Sequence, residues 1–202
     1  TIDEVVVATT DNARDSVLGE IARKYSVRCF RGSEEDVLGR VVGAGKFVGA
    51  ELLVLVTGDG TCVSPRVIDE VVRFFLAHKY DLVSNCVFED SYPVGIDAQV
   101  VSMDALERAY GMAQKPPYAS DKNNFEHVNF FMKHHPDLFR IHQYQAPEKY
   151  RHPEIALVLD TPTDLELIRG IYAKLYPTNP AFDVDDILSL ISTQRQMFRA
   201  AQ

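Results

Sequence analysis

Residues 52–60 read Leu-Leu-Val-Leu-Val-Thr-Gly-Asp-Gly, an apolar run that ends in an aspartate flanked by glycines. Five apolar residues followed by a threonine are typical of a buried β-strand, and the glycines favour a turn directly after it. Ser64 and Pro65 then supply the signals that begin a helix. The stretch therefore predicts a central strand, Leu52 to Thr57, which ends in a polar loop and is followed by a helix.

The segments on either side of this strand alternate between β type and helical type. Further strands are predicted at residues 5–9, 27–30, 82–85 and 155–159. Residues 87–101 contain turn-forming residues, which predict a hairpin or an excursion from the main fold. Helices are predicted at residues 12–25, 34–48, 102–113, 125–134, 161–175 and 185–192. Such alternation indicates an α/β fold with a mostly parallel central sheet, and we expect residues 1–202 to form one domain.

The composition is that of a globular protein, because 46% of the residues are hydrophobic and 25% are charged. The longest apolar run, residues 52–56, is far shorter than the roughly 20 residues that cross a bilayer, and no signal peptide is recognisable. Cys29, Cys62 and Cys86 are widely spaced without a CxxC pair, which favours free thiols. A soluble, cytoplasmic protein is predicted.

The formal net charge is -8, from 29 acidic and 21 basic residues. This balance argues against a nucleic-acid partner, since binding to a phosphate backbone depends on clustered Lys and Arg. A polyanionic ligand such as a nucleoside triphosphate would need a divalent cation to bind here.

Two aspartates directly follow predicted strands. Asp59 follows Val-Thr-Gly, and Asp160 follows Leu-Val-Leu. In open α/β sheets ligands bind beyond the carboxyl ends of the strands, so Asp59 and Asp160 are candidates to share one Mg²⁺. In the alternative interpretation Asp59 is a turn residue and Asp160 stabilises a helix N-terminus through the helix dipole.

Several blocks of sequence, taken in order, resemble the cytidylyltransferases of spore coat polysaccharide synthesis, which are related to the acylneuraminate and 3-deoxy-manno-octulosonate cytidylyltransferases. The blocks are residues 3–10 (DEVVVATT), 30–38 with Arg40 (FRGSEEDVL), 56–59 (VTGD), 92–97 (YPVGID), 126–128 (EHV) and 159–166 (LDTPTDLE). They extend over nearly the whole chain. The resemblance implies a three-layer, Rossmann-like nucleotidyltransferase fold.

The resemblance also implies a reaction. A sugar hydroxyl, often that of a keto-sugar acid, attacks the α-phosphate of CTP and expels pyrophosphate, with Mg²⁺ held by Asp59 and Asp160. It implies that Gly58 and the strand end Ala8, Thr9 and Thr10 face the nucleotide, and that the acceptor sugar meets Gly95, Asp97, Gln99, Glu126 and His127. A homodimer is implied as well, with residues 86–135 contributing to the sugar site and to the dimer contact. The structural alternatives are a backbone role for Gly95, a turn-capping role for Asp97 and a packed His127.

The chain departs from the family pattern at its start. Relatives open with a strand and a basic loop that holds the triphosphate, whereas this sequence begins at the second strand. A parallel sheet without its first strand would expose an unpaired apolar edge, so we expect the sequence to be a fragment that lacks the first strand and the nucleotide-binding loop.

Three further positions differ from the pattern and leave the sugar undetermined. Gly60 replaces a Cys or Ser, Gln99 replaces an acidic residue, and Phe125 replaces an arginine. Two alternatives to the cytidylyltransferase hypothesis stay open. One is a non-catalytic binding or scaffold protein of a glycan pathway, and the other is a nucleotidyltransferase that uses another nucleoside triphosphate.

Overall fold

The computed structural model describes residues 2–200, and it describes the side chains as far as residue 193. Helices and strands alternate along the chain, which confirms the predicted α/β class. The strands are β1 (Val6–Thr10), β2 (Arg28–Gly32), β3 (Leu52–Leu55), β4 (Leu82–Ser84), β5 (Gln99–Ser102) and β6 (Ile141–Gln143). The helices are α1 (Ser16–Lys24), α2 (Val37–Val48), α3 (Pro65–Ala77), α4 (Met103–Ala113), α5 (Asn123–Glu126), α6 (Phe130–His134), α7 (Pro162–Leu175) and α8 (Val184–Ala200).

The strands form two sheets. β1 and β2 pair in parallel, with Val6 opposite Arg28 and Thr10 opposite Gly32. The other sheet has the order β3-β5-β4-β6. Parallel pairing also occurs outside the named strands, at a single bridge between Val94 and Ala156.

The predicted central position of residues 52–57 is wrong. β3 ends at Leu55 and lies at an edge of the four-stranded sheet, and all four of its residues are only half-buried. The interior positions belong to β5 and β4, and every residue of β4 is buried. An apolar run favours the formation of a strand, but the position of that strand in the sheet depends on which other strands pair with it.

Other differences are local. The predicted strand at residues 155–159 is reduced to the bridge at Ala156, and the predicted helix at residues 125–134 is divided into α5 and α6. β6 was not predicted. The helix predicted at residues 185–192 begins one residue earlier and runs on to Ala200.

Helix ends follow the local sequence closely. The side chain of Asp36 accepts a hydrogen bond from the backbone N–H of Gly39 and so caps the start of α2. Gly49, with φ of 68°, ends the same helix in the left-handed conformation that glycine adopts without strain.

The described chain forms two compact units. The first comprises residues 2–53, 78–83 and 100–142, and the second comprises residues 54–77, 84–99 and 143–200. Buried side chains form the core of each. In the first they include Leu38, Val42, Leu106, Ala109 and Phe131, and in the second Val67, Val71, Ile96, Leu157 and Ile187.

Candidate active site

Asp59 and Asp160 lie on neighbouring backbone segments of the second unit. The N–H of Leu159, the residue before Asp160, donates a hydrogen bond to the carbonyl oxygen of Asp59 at 3.1 Å. Both aspartates are exposed to solvent. One backbone hydrogen bond thus brings together two acidic residues that are separated by a hundred positions in sequence.

The loop that carries Asp59 is a tight turn. The N–H of Gly60 donates to the carbonyl of Thr57 at 3.2 Å, and the N–H of Thr61 donates to the carbonyl of Asp59 at 3.0 Å. A Cβ added to Gly58 would meet no atom within 4 Å, so one side of this turn is open. On the other side Gly60 packs closely, because an added Cβ would lie 3.3 Å from the carbonyl oxygen of Gly95.

Asp160 directly precedes the capped start of α7. Thr161 and Asp164 form a capping box, in which each side chain binds the backbone N–H of the other residue. One carboxylate oxygen of Asp164 also lies 3.3 Å from the N–H of Asp160. The Thr161 side chain, followed by these backbone N–H groups, lowers the pKa of Asp164. The cap therefore fixes the backbone on which Asp160 is carried.

Gly95 occupies a turn that only glycine adopts without strain. Its φ is +95°, and an added Cβ would lie 2.9 Å from the carbonyl oxygen of Leu157. The adjacent Val94 donates to Ile155 at 2.9 Å and accepts from Leu157 at 2.8 Å. The turn is thereby packed against the segment that leads to Asp160.

Asp97 is a third carboxylate of this unit, half-buried close behind the turn. Burial is the largest cause that raises the pKa of Asp97, and the negative charges of Asp90 and Asp59 raise it further. The N–H of Gly95 and the thiol of Cys86 donate hydrogen bonds to the carboxylate and oppose the rise. Asp97 therefore lies within electrostatic range of Asp59.

Sequence reasoning missed two residues that surround Asp97. The Cys86 thiol donates to Asp97, and burial, the largest cause, together with the charge of Asp97 raises the pKa of Cys86 to about 12. The side chain of Asn85 donates to Ile96 at 2.7 Å and accepts from Ala98 at 2.9 Å, so it fixes the backbone on both sides of Asp97. Neither residue lies in a recognisable motif, since the contacts are tertiary.

The other predicted site residues take these positions. Gln99 is the half-buried first residue of β5. In the first unit, Ala8, Thr9 and Thr10 form the carboxyl end of β1, where the Arg31 side chain donates to the carbonyl of Thr10 at 2.9 Å. Glu126 ends α5 and His127 follows it, and both are exposed.

The donor set of the Asp59 loop suits a hard cation. No group of three or more His, Cys, Asp or Glu side chains within the described residues is arranged to hold a metal ion. Mg²⁺ commonly takes only one or two protein carboxylates and completes its shell with waters and phosphate oxygens. The two exposed carboxylates of Asp59 and Asp160 fit that requirement.

The α-helices of the described chain include none that is long and apolar enough to cross a membrane. This is a statement about residues 2–200 alone.

Sequence comparison gives a consistent result. The chain matches the family model described as Cytidylyltransferase over residues 1–196. An uncharacterized protein of Methanocaldococcus jannaschii is 33% identical over 166 residues, which are 82% of this chain and 64% of that protein. The spore coat polysaccharide biosynthesis protein SpsF of Bacillus subtilis is 31% identical over 191 residues, 94% of this chain and 75% of that protein. The chain thus spans less than two thirds of the length of the first of these relatives.

Solved structures show the same fold. A cytidylyltransferase from Leptospira borgpetersenii superposes with a TM-score of 0.85 at 23% identity, covering 95% of this chain and 77% of that one. A CMP:2-keto-3-deoxy-manno-octonic acid synthetase complexed with CTP superposes with a TM-score of 0.58 at 15% identity, covering 86% of this chain and 82% of that one. The nucleotidyltransferase-like fold predicted from sequence is confirmed.

Proposed function

We propose that this chain, which belongs to the cytidylyltransferase family, transfers CMP from CTP to a sugar hydroxyl. The spore coat polysaccharide role in the name of the Bacillus subtilis relative supports a product used for surface polysaccharide or glycan synthesis. The fold shared with a synthetase that binds CTP supports CTP as the donor and a keto-sugar acid as the acceptor class.

The observation that carries this proposal is the hydrogen bond from Leu159 to the Asp59 carbonyl. It joins the backbone segments that carry Asp59 and Asp160, whose side chains are both exposed, and so supports a cation shared by the two. Asp59 and Asp160 would hold Mg²⁺, which would supply positive charge to offset the charge on the phosphate oxygens. Asp59 and Asp160 are the residues that we propose as its ligands.

Two further residues of this unit, Gly58 and Asp97, are proposed to bind and orient the substrates. Gly58 has no side chain and faces open space, so the nucleotide can approach its backbone closely. Asp97 is the residue that we propose to accept a hydrogen bond from a sugar hydroxyl, because its carboxylate is half-buried beside the Gly95 turn. Positioning and charge compensation of this kind supply most of the catalysis in phosphoryl-type transfers.

The reaction that follows is a substitution at phosphorus. The sugar oxygen forms a bond to the α-phosphorus, and the bond from that phosphorus to the oxygen bridging to the β-phosphate breaks. Pyrophosphate leaves with the bonding electron pair, and the hydroxyl proton passes to solvent.

Pyrophosphate release from CTP by the full-length protein, with Mg²⁺ and a panel of sugars and sugar acids, tests the proposal. Asp59→Asn and Asp160→Asn are each expected to lower the rate by about 100-fold or more, because each removes a charged ligand from the reacting centre. Asp137→Asn, at an exposed aspartate of the first unit, is the matched control and should retain wild-type activity.

Two results would count against the proposal. Turnover that is unchanged in both Asp59→Asn and Asp160→Asn would remove the metal role of these residues. Release of pyrophosphate from UTP or GTP, but not from CTP, would replace the donor.

The nucleotide contacts of Ala8, Thr9 and Thr10 stay predictions, as do the acceptor contacts of Gln99, Glu126 and His127. The predicted homodimer and single-domain organisation stay predictions as well.

A further inference from the structure

The phenol of Tyr172 on α7 makes a hydrogen bond far from it in sequence. Its hydroxyl donates to the backbone carbonyl of Thr61 at 2.7 Å. The ring is held by aromatic neighbours, because it meets Phe182 edge-on with centroids 4.9 Å apart and lies 6.2 Å from the ring of Tyr176. The ring contacts therefore fix the direction in which the hydroxyl points.

Thr61 belongs to the turn that carries Asp59. Its N–H donates to the carbonyl of Asp59 at 3.0 Å, and the same carbonyl accepts the N–H of Leu159 at 3.1 Å. From Leu159 the chain continues through Asp160 into α7, which carries Tyr172. These hydrogen bonds, together with the chain from Leu159 to Tyr172, form a closed path of contacts that contains both aspartates.

We propose that Tyr172 is a positioning residue, whose hydroxyl holds the Asp59 turn in a fixed relation to Asp160. The proposal rests on the proposed function, in which these two carboxylates share one Mg²⁺. The physical need is specific to this turn, because Asp59 lies between Gly58 and Gly60 and is exposed. Glycines on both sides give such a turn more conformational freedom than other residues would. Mg²⁺, in contrast, requires near-ideal octahedral geometry.

The surroundings of the phenol separate a positional role from a merely structural one. Thr61, Tyr172, Tyr176 and Phe182 line a cavity of about 550 Å³, and 37% of Tyr172 is exposed to solvent. If the hydroxyl is removed, water from this cavity can satisfy the Thr61 carbonyl, so the fold keeps its hydrogen bond. A mobile water does not, however, tie the turn to α7.

The experiment compares Tyr172→Phe with Tyr176→Phe in the full-length protein. Both substitutions remove one phenolic hydroxyl from the same aromatic group, but no hydrogen bond from the Tyr176 hydroxyl to the Asp59 turn is found in the described structure. Mn²⁺, read by electron paramagnetic resonance, serves as the probe of the metal site. Amide hydrogen exchange of peptides that contain residues 57–61 reports on the turn itself.

We expect Tyr172→Phe to raise the dissociation constant of Mn²⁺ by about 10-fold, as for other groups that orient metal ligands. Amide exchange at residues 57–61 should become faster, and the melting temperature should change by only a few degrees. Tyr176→Phe should match the wild type in every measurement. The same pattern should appear in the Mg²⁺ concentration that gives half-maximal CTP turnover.

Two outcomes would overturn the inference. Unchanged Mn²⁺ affinity and unchanged exchange in Tyr172→Phe would show that the hydroxyl positions nothing. Equal losses in both variants would assign the effect to ring packing. If the wild type neither binds Mn²⁺ nor uses CTP, the proposed function fails on its own, and the exchange comparison still decides whether Tyr172 restrains the turn.

Discussion

Asp97 illustrates how the position of a single charged residue can lower the stability of the fold. Its carboxylate is half-buried and faces the negative charges of Asp90 and Asp59, so its pKa is raised above the ordinary 3.8. Between the ordinary and the raised pKa the folded protein binds more protons than the unfolded chain. The contribution of Asp97 to stability is therefore fully present below the ordinary pKa and is lost as pH rises through the raised one.

Asp97→Asn should accordingly stabilise the protein at about pH 8 by on the order of 0.5–1 kcal/mol, since the amide carries no charge to bury. The gain should shrink as the pH falls through the raised pKa toward the ordinary value of 3.8, and it should be smallest at about pH 4. Urea unfolding at both pH values in metal-free buffer measures it. Asp90→Asn, which removes one of the opposing charges, should reproduce part of the gain. A variant that is less stable than wild type at pH 8, or a gain independent of pH, would contradict this assignment.

At the scale of elements, two turns set the positions of the proposed ligands, and each contains a glycine with a different role. Gly95 has a positive φ and contacts Leu157, whereas Gly58 has an open side. The backbone conformation at position 95 requires glycine, which agrees with the backbone role that the sequence analysis gave as the structural alternative for Gly95. Gly58 has no structural neighbour that requires a glycine.

Gly95→Ala should therefore lower the free energy of unfolding by about 2–3 kcal/mol, from backbone strain and from contact with the Leu157 carbonyl. Gly58→Ala should change it by less than about 0.5 kcal/mol, in line with ordinary surface substitutions. Yet Gly58→Ala should weaken CTP binding, because the added methyl group occupies the open side of the turn. Chemical denaturation and calorimetric titration with CTP separate the two effects. Equal stability losses at both positions would show that the distinction is wrong.

What the sequence could predict follows from the range of the interactions involved. The start of α7 was predicted at residue 161, and Thr161 is its N-cap, since Thr161, Pro162 and Asp164 act within one turn of helix. The edge position of β3 could not be predicted, because it depends on the pairing of β5 and β4 and not on the residues of β3.

The same reasoning applies to the candidate site. The nearness of Asp59 and Asp160 was expected from the general rule that polar residues after parallel strands meet at one edge of the sheet. The observed link is the backbone hydrogen bond from Leu159 to Asp59, since residues 155–159 form only the bridge at Ala156. The contacts of Tyr172 with Thr61 and of Cys86 with Asp97 follow no such rule. They depend on how helices and turns pack, which a single sequence does not encode in any local pattern.

At the scale of the whole molecule, the net charge of this chain bears on the proposed binding of CTP. The chain carries a net charge of -8, and CTP is itself a polyanion. Without a divalent cation, the negative electrostatic field of this chain repels CTP. Dissolved salt screens this repulsion, with a screening length of about 10 Å at 0.1 M. In the proposed function, Mg²⁺ would compensate part of the phosphate charge and so lower this repulsion.

We therefore expect CTP binding in the presence of a chelator to be weak and to strengthen a few-fold when potassium chloride rises from about 0.02 to about 0.2 M. With saturating Mg²⁺ the affinity should be much higher and nearly independent of salt. Titration calorimetry measures both, and cytidine, which has no phosphates, is the control whose binding should not respond to salt or Mg²⁺. If metal-free CTP binding weakens with added salt, local basic groups and not the net charge govern the encounter, and the requirement for Mg²⁺ loses its electrostatic basis.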